Sequence, residues 1–321
     1  VYMLNKLILR IHQIFILTKV YISKILYVLF GNKLNKKKLW LIVERGNDAK
    51  DNGYVFFKYL NENDKINKQE HDIRYIINRK SPDYEKVIKY GKVVKYGSLK
   101  HFYLLNKANY LLSTHSSTYI HQDLSKFLSK GLIRYKFKFI FLQHGIIKDY
   151  LPQLFYPNIN PDLFVCGGKN EYIYVKENFN HKENVVRYTG LARFDNLHDF
   201  RTKNQILIMP TWRSYLSQYD EKRFKLSDYY NNYNSLLNDE RLIGILEEYN
   251  YELLFYPHYE MHKFIHLFKT SSERIKIGNT NMDVQNMLKE SKLLITDYSS
   301  VFFDFAYMFK PMIYYKFDKS E

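Results

Sequence analysis

His144 closes the run Phe141-Leu142-Gln143-His144-Gly145, where an apolar stretch gives way to an imidazole and then a glycine. A strand that ends this way delivers the ring at a turn, beside backbone amides. Histidine titrates near neutrality and is the most frequent general base. A histidine that only hydrogen-bonds its own loop has the same spacing, so the reading needs companion motifs. His258 stands in a similar setting, Phe255-Tyr256-Pro257-His258-Tyr259, where Pro257 stiffens the exit. His262 follows four residues on, a spacing that suits zinc on a helix, but no neighbouring Cys or Glu set completes a ligand shell and no metal is expected.

A third segment is more specific. Leu293-Leu294-Ile295-Thr296 reads as a strand, Asp297-Tyr298-Ser299-Ser300 follows, and Val301-Phe302-Phe303-Asp304-Phe305 opens an apolar helical pattern. One serine is enough to cap a helix. Thr296, Ser299 and Ser300 supply more hydroxyls than that, and the amides of a helix start attract anions, so the segment points to phosphate. Met209-Pro210-Thr211-Trp212-Arg213 leads a strand into an arginine suited to bidentate phosphate binding, although an ion pair would use the same residue. Glu44-Arg45-Gly46, running on through Asp51-Asn52-Gly53, is a polar loop with residues for tight turns and substrate contact. Neither a Walker-type loop nor a GxGxxG fingerprint occurs, which argues against P-loop and dinucleotide-binding enzymes.

These groups need a frame that presents strand ends. Strands are predicted at Leu39–Val43, Ile73–Asn78, Tyr110–Ser113, Phe137–Leu142, Leu163–Cys166, Val185–Tyr188, Ile206–Met209, Leu253–Tyr256, Leu293–Thr296 and Met312–Tyr315. They alternate with helices predicted at Gly53–Asn61, Pro82–Tyr90, Glu171–Phe179, Ser227–Tyr249, Val284–Lys289 and Val301–Phe309. That alternation, with near-continuous apolar strands, implies βαβ units and parallel sheets covered on both faces. At 321 residues two domains are expected, with a boundary near the polar stretch 196–204. Two doubly wound domains facing a cleft would bind ligands beyond the carboxyl ends of their strands. The last strand stops a few residues before Glu321, where such a domain normally continues with a covering helix, so a longer chain is expected.

Hydrophobic residues at 46% and charged residues at 26% exclude wholesale disorder, and 12 Gly and 7 Pro without a period exclude fibrous classes. A single cysteine, Cys166, rules out a disulfide scaffold and suits a reducing compartment. With 49 basic and 33 acidic residues the net charge is +16, which favours an anionic partner. The first carboxylate is Glu44; before it stand Lys6, Arg10, Lys19, Lys24, Lys33, Lys36, Lys37 and Lys38. In the same stretch Leu4, Ile8, Ile11, Phe15, Thr18, Ile22, Ile25 and Leu29 follow a helical apolar stripe, opposite Asn5, Lys6, Arg10, Gln13, Ser23 and Lys24. Lys19 and Lys24 interrupt the middle, which makes a poor membrane span and a poor signal peptide. A helix packed on the core or a coiled-coil seam fits the spacing. The acid-free basic flanks favour a helix lying in an anionic membrane interface.

Together these segments resemble the CDP-glycerol glycerophosphotransferase family, the polymerases and primases of teichoic acids and glycerol-phosphate-bearing capsules. The resemblance runs from Trp40 to Phe317 over six stretches in order. They are Trp40-Leu41-Ile42-Val43-Glu44-Arg45-Gly46 with Asp51-Asn52-Gly53-Tyr54, Gln143-His144-Gly145 with Lys148-Asp149, Gly190-Leu191-Ala192-Arg193-Phe194-Asp195, Pro210-Thr211-Trp212-Arg213, Pro257-His258, and Thr296-Asp297-Tyr298-Ser299-Ser300 through Asp304. Gln143, Ile146 and Ile147 depart from the Trp-His-Gly-Thr-Pro form of the long wall-teichoic-acid polymerases and look more like the capsule branch.

The resemblance implies an α/β, GT-B-like fold of two Rossmann-like domains: a basic amphipathic helix over 1–38, an acceptor-side domain over 39–196 and a CDP-glycerol-binding domain over 197–321. It implies peripheral association with the cytoplasmic membrane face and transfer of glycerol phosphate from CDP-glycerol to a lipid-linked acceptor, with release of CMP. The family's two catalytic histidines match His144 and His258. Arg213, Thr296, Asp297, Ser299, Ser300 and Asp304 fall to donor binding, and Glu44, Arg45, Gly145, Lys148, Asp149, Arg193 and Asp195 to the acceptor side. A near-neutral histidine, assigned to His144, takes the proton of an attacking hydroxyl, while His258, Arg213 and the amides at Ser299–Ser300 neutralise the leaving phosphate. No cofactor is required, and Mg2+ is expected at most with the donor. The alternatives are a CDP-ribitol or nucleotide-sugar transferase of GT-B type, and a basic nucleic-acid binder. For the last, 31 Tyr and 23 Phe could stack bases, but they fall mainly in predicted cores and no nucleic-acid partner is expected.

Overall fold

The computed structural model describes residues 2–31, 37–116, 120–279 and 282–318; Lys33 and Lys36 lie outside the described residues. The chain divides into two compact units, Val1–Arg193 and Phe194–Glu321. The division falls a few residues before the expected boundary and places Asp195 in the second unit.

The first unit is built on β1 (Lys38–Val43), β2 (His71–Ile77), β3 (Lys92–Lys95), β4 (Tyr110–Ser113), β5 (Lys138–Phe141), β6 (Leu163–Cys166) and β7 (Val186–Tyr188). They form one parallel sheet in the order β3-β2-β1-β4-β5-β6-β7. The chain winds outward from β1, then restarts on its other side at β4, and that reversal opens a crevice at the strands' carboxyl ends. Register makes this specific: Val43 pairs with Ser113, and Ser113 with Phe141. The loops at Glu44, Thr114 and Leu142 therefore leave the sheet side by side.

The second unit repeats the scheme with β8 (Gln205–Ile208), β9 (Glu252–Phe255), β10 (Ile275–Ile277), β11 (Leu293–Thr296) and β12 (Met312–Tyr314), parallel in the order β10-β9-β8-β11-β12. Its reversal lies between β8 and β11. Ile208 pairs with both Phe255 and Ile295, which brings the exits at Met209, Tyr256 and Thr296 together.

The strands β3 and β10, absent from the sequence reading, are both edge strands. Lys-Val-Val-Lys and Ile-Lys-Ile offer too few apolar residues to register as runs. The helix expected over 227–249 is two, Asp228–Leu236 and Glu240–Glu248, because the Asp239 carboxylate accepts the Leu242 amide at 3.0 Å and starts a new helix.

The amino-terminal helix, Tyr2–Phe30, is part of the first unit rather than a domain of its own. Ile16 and Val20 are buried with Phe102 and Leu105 of the helix Leu99–Lys107. Polar groups fasten the same face: Gln13 Nε2 donates to the Asp123 carbonyl (3.1 Å), Lys19 Nζ to the Gly97 carbonyl (3.0 Å) and Asn106 Nδ2 to Ser23 Oγ (3.3 Å). The apolar stripe points the other way. Ile8, Ile11, Phe15, Ile22, Ile25 and Leu29 are all exposed, from 42% at Ile22 to 65% at Leu29. The side holding Gln13 and Ser23, read from the sequence as the outer one, is the side that packs.

Candidate active site

In the first unit the Glu44 side chain, buried at the exit of β1, organises the loop around it. Its carboxylate accepts the amides of Lys50 (2.9 Å), Asp51 (3.1 Å) and Tyr54 (2.8 Å). Burial, with Asp51 beside it, pushes its pKa up to about 8. Gly46 sits in the left-handed region at φ 84, where a Cβ would strike the Tyr96 ring, so glycine is required. Asp51 caps the helix Asn52–Glu62 through the Asn52 amide and also accepts Arg193 Nη1 at 2.9 Å. Asn52 donates to the Gln143 carbonyl (2.8 Å) and accepts the Arg193 amide (3.0 Å).

His144 follows a backbone held in an unfavourable shape. Gln143 has φ 61, a left-handed conformation uncommon for a residue with a side chain and frequent at functional sites. Its amide donates to the Val165 carbonyl (2.7 Å) and to Glu171 (3.1 Å). The buried Glu171 carboxylate also accepts the amides of Ile147 (2.7 Å) and Gly167 (2.6 Å), and burial raises its pKa. The exposed His144 ring is thus carried on a fully anchored turn. Its Nδ1 lies 3.0 Å from the Thr114 carbonyl. A carbonyl only accepts, so Nδ1 carries a proton, and in the neutral ring the lone pair is on Nε2. The ring stacks on His115 with centroids 4.7 Å apart and planes 4° from parallel. Arg45 Nε donates to His115 Nε2 at 2.9 Å.

In the second unit Asp297 is the hub. Its Oδ1 accepts the Thr211 (2.8 Å) and Tyr298 (2.6 Å) amides, and its Oδ2 lies 3.0 Å from Arg213 Nη2. Arg213 also holds Asp318 through Nε (2.7 Å) and Nη2 (2.6 Å), and donates from Nη1 to the Thr211 carbonyl (2.9 Å). Its guanidinium, expected to face phosphate, is engaged with two carboxylates among the rings of Tyr229, Tyr298 and Phe317. Burial works against its charge, but Asp297 and Asp318 outweigh this and raise its pKa. The Thr296 hydroxyl is likewise committed, donating to the Met209 carbonyl at 2.7 Å. Ser299 accepts the Val301 amide at 3.4 Å, whereas Ser300, at the N-cap of the helix Val301–Tyr307, makes no side-chain capping bond. Asp304 is buried within that helix. His258 Nδ1 accepts the Glu260 amide at 3.3 Å, which places the proton of the neutral ring on Nε2; the ring stacks on Trp212 at 6.0 Å and 16°.

The structure therefore brings Glu44, Arg45, His144 and Arg193 into one connected network with its neighbours, and Arg213, Thr296 and Asp297 into another. Lys148 and Asp149 pair with each other at 2.8 Å on the exposed loop beyond Gly145, and Asp195 is exposed. Among the described residues no three His, Cys, Asp or Glu side chains group as metal ligands. Sequence reasoning missed His115, Glu171 and Asp318, and it quoted Asn52 only as part of a polar loop. His115 carried a usable signal, since Ser113-Thr114-His115 leaves a predicted strand just as Gln143-His144 does.

A family model described as CDP-glycerol:poly(glycerophosphate) glycerophosphotransferase matches residues 24–321. The minor teichoic acid biosynthesis protein GgaB of Bacillus subtilis (strain 168) is 36% identical over 299 residues, 89% of this chain and 32% of its own length. The teichoic acid poly(glycerol phosphate) polymerase of Bacillus spizizenii is 30% identical over 199 residues, 60% of this chain and 47% of its own length. The chain thus spans less than half of either relative. The structure of the wall teichoic acid polymerase TagF superposes with a TM-score of 0.64 at 18% identity, over 99% of this chain and 82% of that one. That likeness establishes the fold as GT-B-like with two Rossmann-like domains. With the family model spanning nearly the whole length, this chain belongs to the CDP-glycerol:poly(glycerophosphate) glycerophosphotransferase family.

Proposed function

We propose that this chain transfers glycerol phosphate from CDP-glycerol to a hydroxyl of a membrane-linked teichoic acid or capsular polysaccharide acceptor. The observation that carries the proposal is the His144 ring: exposed, tied through Nδ1–H to the Thr114 carbonyl, and left with its Nε2 lone pair available. The acceptor oxygen attacks the glycerol-bearing phosphorus of the donor, its proton passes to His144 Nε2, and the bond to the bridging oxygen breaks to release CMP. A positioned base contributes roughly 10²–10⁴-fold to such a step. The leaving phosphate needs charge neutralisation more than protonation. His258 Nε2–H, with the amides and hydroxyls of Ser299 and Ser300, is assigned to that task. Arg213 acts by holding Asp297 and the turn that follows it.

The amino-terminal helix supports action at an anionic membrane surface. Ile8–Phe30 is long and apolar enough to cross a bilayer, but its Ile16, Val20 and Ser23 face is fastened to the first unit. A helix held along one side, with its opposite side apolar and exposed, suits lying in the interface with basic residues nearby. The cytoplasmic face is where a nucleotide-activated donor is available.

The test is CMP release from CDP-glycerol with a lipid-linked acceptor, with and without Mg2+. His144→Asn should abolish release while donor binding persists. Turnover of that variant at the parent rate would sink the base assignment. Faster reaction with CDP-ribitol or a nucleotide sugar would transfer the proposal to that donor.

A further inference from the structure

We propose that His115 is a positioning residue that holds the His144 ring in the orientation that keeps Nδ1–H on the Thr114 carbonyl, and so in the tautomer whose Nε2 can accept a proton. The inference deepens the function above and rests on it for the meaning of activity, though not for its structural content.

An exposed imidazole held by one hydrogen bond still swings about that bond. Here a second constraint acts across the ring face, where the parallel His115 lies at 4.7 Å. His115 is itself fixed on both sides. Arg45 has only donors, so its Nε–H to His115 Nε2 (2.9 Å) requires a lone pair there and puts the proton on Nδ1. That Nδ1–H lies 2.8 Å from Thr114 Oγ1, which accepts it. Thr114, buried between β4 and the turn, thus holds both rings: its hydroxyl takes His115 and its carbonyl takes His144. The opposite tautomer of His144 would turn a lone pair onto the Thr114 carbonyl.

The supporting ring must also stay neutral, because a cation stacked on His144 would oppose the imidazolium that forms as the acceptor is deprotonated. Burial, with His144 and Arg45 adding to it, pushes the pKa of His115 down to about 3. Among the described residues, the charged group that acts on the His115 ring is Arg45, which also lies 3.8 Å from Asp48 on the same loop after β1. A lysine or arginine in place of His115 would not serve. A flat, uncharged ring would.

The experiment compares His115→Ala and His115→Phe with the parent chain, using ring-nitrogen NMR of histidine-labelled protein to read the His144 tautomer, and CMP release to read kcat and KM. In the parent, His144 should show a single neutral tautomer, protonated at Nδ1. His115→Ala should give mixed tautomers and lower kcat by on the order of 10–100-fold, with KM for CDP-glycerol unchanged. His115→Phe, which restores a neutral stacking face, should recover most of both. A single Nδ1–H tautomer surviving in His115→Ala, or a kcat loss that His115→Phe does not repair, overturns the proposal. If His115→Ala fails to fold, the phenylalanine variant alone decides: mixed tautomers with its stacking face intact would refute the claim. Should the parent release no CMP from CDP-glycerol, the function fails but the NMR result still judges the positioning role.

Discussion

Replacing Arg213 by methionine separates two accounts of that residue. Methionine keeps an apolar stem among Tyr229, Tyr298 and Phe317 while removing the charge. In the structure the guanidinium lies between Asp297, whose side chain is 0% exposed, and Asp318 at 8%. Removing one partner of a buried ion pair costs about 3–5 kcal/mol, chiefly because it strands the remaining charge. Against a total of roughly 5–15 kcal/mol this is a large fraction. For a unit of this size it should lower the thermal midpoint by roughly 10–20 °C.

Thermal unfolding and donor binding, measured on the same samples, give the answer. A variant that unfolds at the parent midpoint yet no longer binds CDP-glycerol would show that Arg213 grips phosphate directly, and the structural account would fall.

Two further outcomes are expected. Glu44, pushed up to about 8 by burial and Asp51, binds its proton more tightly folded than unfolded; stability should decline between about pH 5 and 8 as that proton is lost, and Glu44→Gln should flatten the slope in urea unfolding at stepped pH. A triple variant with Ile11, Phe15 and Ile22 each changed to Asn removes exposed apolar surface worth about 1 kcal/mol per residue on transfer from water. Partition onto anionic vesicles should fall on the order of 100-fold with the thermal midpoint unchanged, and undiminished partition would exclude this face as the membrane contact.

Much of the frame was legible because buried parallel strands announce themselves as apolar runs. Tyr110–Ser113, Leu163–Cys166 and Leu293–Thr296 have the same bounds in sequence and structure, and among the described strands the two without such a run are the edge strands Lys92–Lys95 and Ile275–Ile277. What local sequence could not carry is partnership. Arg213 looked like a phosphate ligand because Asp318, its partner at 2.7 Å, lies 105 residues away. Glu171 only opens a predicted helix in the sequence, yet its carboxylate pins the Gln143 turn from 28 residues away. The amino-terminal helix misled differently. Hydropathy identifies two faces but not which one the fold covers, and here small polar anchors at Gln13, Lys19 and Ser23 decided the matter.

The chemistry of the two histidines shows the same dependence on partners. In sequence His144 and His258 are alike: each ends an apolar strand and either could be base or donor. Their Nδ1 atoms meet opposite groups, a carbonyl at Thr114 for His144 and a backbone amide at Glu260 for His258. A carbonyl demands a proton from the ring and an amide supplies one, so the neutral rings are driven to opposite tautomers. His144 is left with a lone pair at Nε2, which suits accepting a hydroxyl proton. His258 carries its proton on Nε2, and an N–H is the kind of group that contacts an oxyanion. An assignment by motif order would be arbitrary; this one follows from which end of a peptide group each ring meets, and it makes exchanging the two roles cost the loss of a hydrogen bond at both sites.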